Sequence, residues 1–84
     1  MEINDIVEIA KSELMKLSGF TSPNAIGVNN EFDIWHITIE ITEKSSEAVN
    51  LDLLGIYDVR IDSSGNLLGY ERLRQRKRCE KEQL

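Results

Sequence analysis

Residues 35–42 read WHITIEIT, and this segment is the strongest strand signal in the sequence. Its apolar and polar side chains alternate with a period of two, which is the period of a β-strand. Isoleucine and threonine favour strands because their branched Cβ atoms pack well on a pleated surface. We therefore predict a half-buried antiparallel strand. One face of that strand presents Trp35, Ile37, Ile39 and Ile41, and the other presents His36, Thr38, Glu40 and Thr42.

Two further strands are predicted on either side of residues 62–66. The sequence there is DSSGN, which is typical of a tight turn because its glycine accepts a positive φ. Simple alternation then predicts one shared face for Tyr57, Val59, Ile61, Leu67, Gly69 and Leu73, and the opposite face for Asp58, Arg60, Leu68, Tyr70, Arg72 and Arg74. On this reading Gly69 leaves room beside Tyr57 and Val59.

The first eighteen residues have a different period. Apolar residues recur there at steps of three and four, which predicts an amphipathic helix that ends at Gly19. That stripe comprises Ile3, Ile6, Val7, Ala10, Leu14 and Leu17. A short strand is predicted at residues 25–28, followed by a turn at Asn29-Asn30-Glu31, and residues 44–50 are predicted to be a mobile linker.

These elements predict an α+β fold, in which an N-terminal amphipathic helix packs on a three- or four-stranded antiparallel meander sheet. We expect one domain over residues 1–75 and a basic, flexible C-terminal tail over residues 76–84. The predicted structural core consists of Leu14, Leu17, Trp35, Ile37, Ile39, Ile41, Tyr57, Val59, Ile61, Leu67 and Gly69.

The chain has 84 residues, of which 40% are hydrophobic and 30% charged, so one small domain is expected. Its charge is uneven. Residues 1–70 carry four Lys and Arg against twelve Asp and Glu, a formal net charge of −8, whereas residues 71–84 carry six against three, a net charge of +3. No apolar run is long enough to span a bilayer, and the single cysteine, Cys79, has no partner for an internal disulfide. We expect an intracellular setting.

Catalytic and metal-binding chemistry is disfavoured by the same sequence. His36 is the single histidine, and its pairing with Glu40 on one strand face is typical of an exposed polar pair rather than of a metal site. Glu40 and Glu43 are three residues apart on a strand, which places them on opposite faces. The glycines are scattered and form no phosphate-binding loop. We predict no enzyme activity, no cofactor and no small-molecule substrate.

The basic segment at the chain's end is the main candidate for a binding surface. The candidate partner-binding residues are Leu68, Tyr70, Arg72, Arg74, Arg76, Lys77 and Arg78. An outward tyrosine beside leucine and arginine is typical of interfaces. Two alternatives stay open: Arg72 and Arg74 pair with Glu40 or Asp58 across the sheet, and the three residues that follow Gln75 serve solubility alone. The acidic body disfavours nucleic acid, and the tail lacks the apolar face that membrane binding needs.

The strand sequences resemble the gas vesicle protein O (GvpO) family. The resemblance rests on WHITIEITE at residues 35–43 and on YDVRIDSSGNLLGYERLR at residues 57–74. The family pattern has a Trp followed at five and eight residues by Glu, a Tyr-acid-Val strand, an Asp-x-x-Gly hairpin and then Gly-Tyr-x-Arg. The match covers roughly residues 5–76. This chain departs from it in the linker at residues 44–52, which has no proline.

The resemblance implies a non-enzymatic accessory protein needed for gas vesicle formation and assembly. Its implied partners are other gas vesicle proteins, in the first place accessory proteins, and its implied location is the cytoplasm. Contact with shell proteins and association with gas vesicles stay open. Homo-oligomer formation stays open. The alternative interpretation is a small regulatory or nucleic-acid-binding module that uses the basic C-terminal segment.

Overall fold

The computed structural model describes residues 2–44 and 52–77, which form one helix and four strands. The predicted linker after Lys44 and the predicted tail beyond Lys77 lie outside the described residues. The elements are α1 at Ile3–Ser18, β1 at Thr21–Glu31, β2 at Ile34–Lys44, β3 at Leu53–Asp62 and β4 at Leu67–Lys77. In these ranges no helix is long and apolar enough to cross a membrane.

Helix α1 is held at both ends by local hydrogen bonds. The Glu2 backbone N–H donates to the Asp5 carboxylate at 3.3 Å in the first turn. The C-terminal end is closed by Gly19, whose φ of 76° lets its N–H donate to the Met15 carbonyl at 2.9 Å. A side chain at this left-handed position would be strained, so the glycine fixes where the helix stops.

The four strands form one antiparallel sheet in the order β1-β2-β3-β4, which confirms the predicted α+β meander. Helix α1 covers one face of the sheet, and we call this face the helix face and the opposite one the outer face. The buried core between helix and sheet contains Ile6, Ala10, Leu14, Ile37, Ile39, Ile41, Tyr57, Val59 and Ile61, with Phe20, Trp35 and Leu67 packed at its margin. The alternation in β2 and β3 therefore predicted the core correctly.

Two predictions at the margins of the core and sheet are wrong. The Leu17 side chain is 52% exposed, because it lies in the last turn of α1 and Phe20 packs against the core at that end instead. The first turn of the sheet is not at Asn29-Asn30-Glu31. Strand β1 continues to Glu31, and the turn consists of Phe32 and Asp33.

Strand β4 departs from simple alternation at two β-bulges. Ile61 pairs with Leu67 but Arg60 pairs with Gly69, so Leu68 is an extra residue. Leu73 is extra in the same way, because Arg72 pairs with Tyr57 and Arg74 pairs with Ile56. Each extra residue shifts the chain beyond it to the other face.

The first bulge overturns the predicted faces of β4. Tyr70 lies opposite Val59, and Arg72 lies opposite Tyr57, so both belong to the helix face. Gly69 lies opposite Arg60 on the outer face and is not a core residue. A Cβ atom at Gly69 would lie 2.9 Å from Arg60 Nη2, so its missing side chain makes room for that guanidinium.

Candidate interaction surface on strand β4

The predicted partner-binding residues fall into two groups in the structure. Tyr70 and Arg72 are on the helix face, whereas Arg74 and Arg76 are on the outer face. Leu68 is exposed at its bulge, Lys77 is exposed at the end of β4, and Arg78 lies outside the described residues. The predicted boundary at residue 75 cuts through this strand, since Arg76 and Lys77 still pair with β3.

The helix-face group is organised by the carboxylate of Glu43. This side chain is only 7% exposed, and it accepts three hydrogen bonds from three different residues. The Tyr57 hydroxyl donates to Oε2 at 2.6 Å, while Arg72 Nη2 and Gln75 Nε2 donate to Oε1 at 2.6 and 2.7 Å. We call these four residues the Glu43 cluster. It ties strands β2, β3 and β4 together on one face of the sheet.

A bulge and a glycine make the Glu43 cluster possible. Glu43 is the extra residue in the β2–β3 ladder, because Thr42 pairs with Leu54 and Lys44 pairs with Leu53. Gly55 lies beneath its carboxylate. A Cβ atom at Gly55 would be 2.6 Å from Glu43 Cδ and 2.7 Å from Tyr57 Cε1, both far closer than carbon atoms pack.

The cluster shifts the pKa values of its two acidic groups in opposite directions. Burial acts to raise the pKa of the Glu43 carboxyl, but the hydrogen bonds from Tyr57 and Gln75 and the Arg72 charge outweigh it, so this pKa is lowered from 4.5. Burial and the bond to Glu43 raise the pKa of the Tyr57 hydroxyl to about 12. At neutral pH the carboxylate is therefore charged and the phenol is protonated.

Tyr70 packs beside the cluster and is not a freely projecting side chain. Its ring centroid is 6.1 Å from that of Tyr57, with the ring planes inclined at 51°. This tilted arrangement is favourable for aromatic pairs. Since 40% of Tyr70 is still exposed, one part of the ring supports the cluster and the other faces solvent.

The outer face carries a second set of ion pairs. Arg76 contacts the Glu40 carboxylate through Nη2 at 2.5 Å and through Nε at 3.2 Å, and both side chains are less than one-fifth exposed. Nearby on the same face, Asp58 Oδ2 lies 3.2 Å from His36 Nδ1 and 3.4 Å from Arg60 Nη1. Glu40 and Glu43 thus lie on opposite faces, as their spacing predicts.

Cross-strand pairing is therefore one role of the basic segment. The sequence left open the possibility that Arg72 and Arg74 form ion pairs with Glu40 or Asp58 across the sheet. The structure pairs Arg72 with Glu43 rather than with Glu40 or Asp58, and Glu40 also accepts from Arg76. No group of three or more His, Cys, Asp or Glu side chains in residues 2–44 and 52–77 is arranged to hold a metal ion. Strand β4 therefore presents arginines on both faces of the sheet.

Sequence reasoning missed the role of Glu43. In a regular strand this residue continues the inward row of Ile41, and nothing in the alternation indicates that the next strands supply three donors to it. A signal was present in the combination of an inward glutamate, a glycine at position 55 and an inward tyrosine at position 57. Gly55 pairs with Ile41, and the Glu43 carboxylate occupies the space that a side chain at Gly55 would fill.

Comparison with known proteins gives two matches to one family. A sequence model of the family described as "Gas vesicle synthesis protein GvpO" matches residues 1–82. The chain is also similar to "Gas vesicle protein O" from Streptomyces sp. (strain CB03234), with 29% identity over 69 residues. That alignment covers 82% of this chain and 54% of the relative, so the chain spans about half the relative's length. No solved structure matches the chain.

Proposed function

This chain belongs to the gas vesicle synthesis protein GvpO family, and from that premise we propose that it is a non-enzymatic accessory protein needed for gas vesicle formation. The match of the family model to residues 1–82 is the observation that carries the proposal. We propose that the protein works in the cytoplasm, through contacts with other gas vesicle proteins.

The filled core of the domain supports a function through protein–protein contacts. Its core is filled mainly by aliphatic side chains from one helix and one sheet, together with Tyr57, and the described residues enclose no cavity for a substrate. In a domain of this size, most of the buried surface is needed for stability. The chemistry therefore lies on its surfaces, and strand β4 is the surface with the greatest density of positive charge.

The outer face of β4 is the part that we propose for partner contact. Arg74 is exposed there, and Lys77 is exposed at the end of the strand. The Glu40–Arg76 pair beside them holds the strand in register, so these cations are presented from a fixed backbone. Such a surface suits an acidic patch on another gas vesicle protein, with contacts weakened by salt.

The test is affinity capture of a tagged chain from cells that are forming gas vesicles, with the recovered proteins identified by mass spectrometry. We expect other gas vesicle proteins to be recovered, in amounts that fall as salt is raised. Arg74→Glu should lower the recovery further, and Lys16→Glu, the same charge reversal at an exposed helix position, serves as the matched control. Arg72 is unsuitable for this test because reversing its charge would break the Glu43 cluster.

Two results would count against the proposal. One is recovery of no gas vesicle protein by a tagged chain that is folded by circular dichroism. The other is recovery of nucleic acid in place of protein, with Arg74→Glu abolishing it, which would favour the regulatory or nucleic-acid-binding alternative.

A further inference from the structure

The turn between β1 and β2 carries the most exposed large apolar side chain of the described chain. Phe32 is 89% exposed, and it is one of only two residues between Glu31 and Ile34. A phenylalanine in this position contributes little to the core. Large exposed aromatic side chains cost solubility, and at interfaces they are among the strongest contributors to binding.

The backbone conformation of this turn disfavours a phenylalanine. Phe32 has a φ of 53° and Asp33 a φ of 63°, which is the left-handed conformation at both central positions of a two-residue hairpin. Turns of this kind favour Asn-Gly or Asp-Gly, since residues with larger side chains are disfavoured at positive φ. Phe32 therefore serves neither the turn nor the core, and a role outside this chain explains it.

The charges around Phe32 indicate the chemistry of its partner. Glu31 and Asp33 flank it directly, and Ile34 beside them pairs with Asp62. The sequence has no lysine or arginine between Lys16 and Lys44. An exposed apolar side chain whose two chain neighbours are both acidic is complementary to an apolar pocket with a basic rim.

We propose that Phe32 inserts into an apolar pocket with a basic rim on a second protein of the gas vesicle machinery, and that Glu31 and Asp33 contact the rim. This inference rests on the proposed function for the identity of the partner. Residues 2–44 and 52–77 of a second copy offer no cavity for the ring, and sedimentation equilibrium tests that alternative partner directly. An anionic lipid surface does not fit either, since the carboxylates would be repelled from it.

The decisive variant is Phe32→Asn, because asparagine tolerates positive φ better than phenylalanine does. We expect the melting temperature of this variant to be unchanged or higher than that of the wild-type chain. Its recovery of gas vesicle proteins by affinity capture should nevertheless fall at least tenfold, which corresponds to about 1.4 kcal/mol of binding free energy. In cells that lack the gene, it should restore fewer gas vesicles than the wild-type chain.

Two further variants separate the ring from its surroundings. Leu17→Ser removes a half-exposed apolar side chain from the helix and should leave recovery unchanged. Asp33→Asn keeps a residue that accepts positive φ but removes one charge, so it should weaken recovery and flatten its dependence on salt. If Asp33→Asn instead strengthened recovery, the basic rim would be wrong.

The proposal is overturned if Phe32→Asn recovers gas vesicle proteins and restores vesicles as well as the wild-type chain does. It is also overturned if Phe32→Asn abolishes self-association in sedimentation equilibrium or binding to vesicles of phosphatidylcholine and phosphatidylglycerol, because the ring would then contact a second copy or a lipid. Failure of the proposed function gives a different result: cells that lack the gene would make gas vesicles normally.

Discussion

Replacing Gly55 with alanine should destabilise the fold, although a glycine-to-alanine change in a strand often does the opposite. Where the backbone and the available space permit, alanine stabilises a protein by about 0.4–1 kcal/mol because it restricts the unfolded chain. At Gly55 the added Cβ would lie 2.6 Å from Glu43 Cδ and 2.7 Å from Tyr57 Cε1. Carbon atoms in contact are about 3.5–4.0 Å apart, so each neighbour must move by about 1 Å.

Neither neighbour can make that movement without losing hydrogen bonds. The Glu43 carboxylate is held by three donors, and the Tyr57 ring belongs to the core. Overpacking of a well-packed site costs about 1–3 kcal/mol, which outweighs the gain from the unfolded state. For a domain of this length, each kcal/mol lowers the melting temperature by about 4–8 °C.

Thermal unfolding followed by circular dichroism measures this effect, with Gly27→Ala as the matched control. A Cβ atom at Gly27 would meet Thr38 at 3.4–3.5 Å, close to ordinary contact, so that variant should unfold near the wild-type temperature. Combining Gly55→Ala with Glu43→Ala should cost less than the sum of the two single changes, because the second removes part of the clash. An unchanged or raised melting temperature for Gly55→Ala would contradict the close contact of the added Cβ atom with Glu43 and Tyr57.

Three further predictions follow from the carboxylates and phenols. Glu43→Gln should lower the free energy of unfolding at pH 7 by about 1–3 kcal/mol, because a charged acceptor is lost. Because the pKa of Glu43 in the folded chain is lowered from 4.5, the stabilisation by its charged carboxylate is present above pH 4.5 and is lost as the pH falls below it. Urea titrations should therefore show a smaller difference in the free energy of unfolding between the wild-type chain and Glu43→Gln at pH 3 than at pH 7. An equal difference at the two pH values would contradict this. The variant Tyr70→Phe leaves Tyr57 as the single tyrosine, so absorbance at 295 nm follows the ionisation of its phenol alone, which should occur near pH 12. An ionisation midpoint near pH 10 in the folded chain would contradict the hydrogen bond to Glu43. The Asp62 carboxyl accepts backbone N–H bonds within its turn, first from Asn66, so NMR titration should place its pKa below 3.8; a value at or above 3.8 would show that these bonds do not form in solution.

The alternation of side chains was sufficient to predict most of the fold. Strands β2 and β3 have regular ladders through the centre of the sheet, so the burial of Ile37, Ile39, Val59 and Ile61 follows directly from their spacing. Hydrophobic periodicity is informative wherever one face of a strand is buried along its whole length.

Strand β4 shows where that reasoning fails. Its faces depend on extra residues at Leu68 and Leu73, and a β-bulge leaves no reliable mark in a single sequence. The assumption of regular alternation through Leu68 therefore placed Tyr70 and Arg72 on the wrong face of the sheet. The composition of the strand still indicated a surface rich in arginine and tyrosine, but the division of those residues between two faces required the structure.

The hairpin tip was missed for a different reason. The sequence NNEFD at residues 29–33 contains two asparagines, and asparagine favours turns. For this reason the turn was predicted to begin at residue 29, three residues before it does. The pairing of Asn29 with His36 and of Asn30 with Trp35 extends the ladder through them. The longer ladder leaves Phe32 and Asp33 to make the turn at positive φ.

The most direct test of the account is the number of gas vesicles in cells that lack this gene. Electron microscopy should be applied to the host with the gene deleted, and to the same strain carrying the wild-type chain on a plasmid. We predict that vesicles are absent or greatly reduced in the deletion strain and are restored by the wild-type chain. Vesicles of normal number and shape in the deletion strain would show that the protein is not needed for their formation.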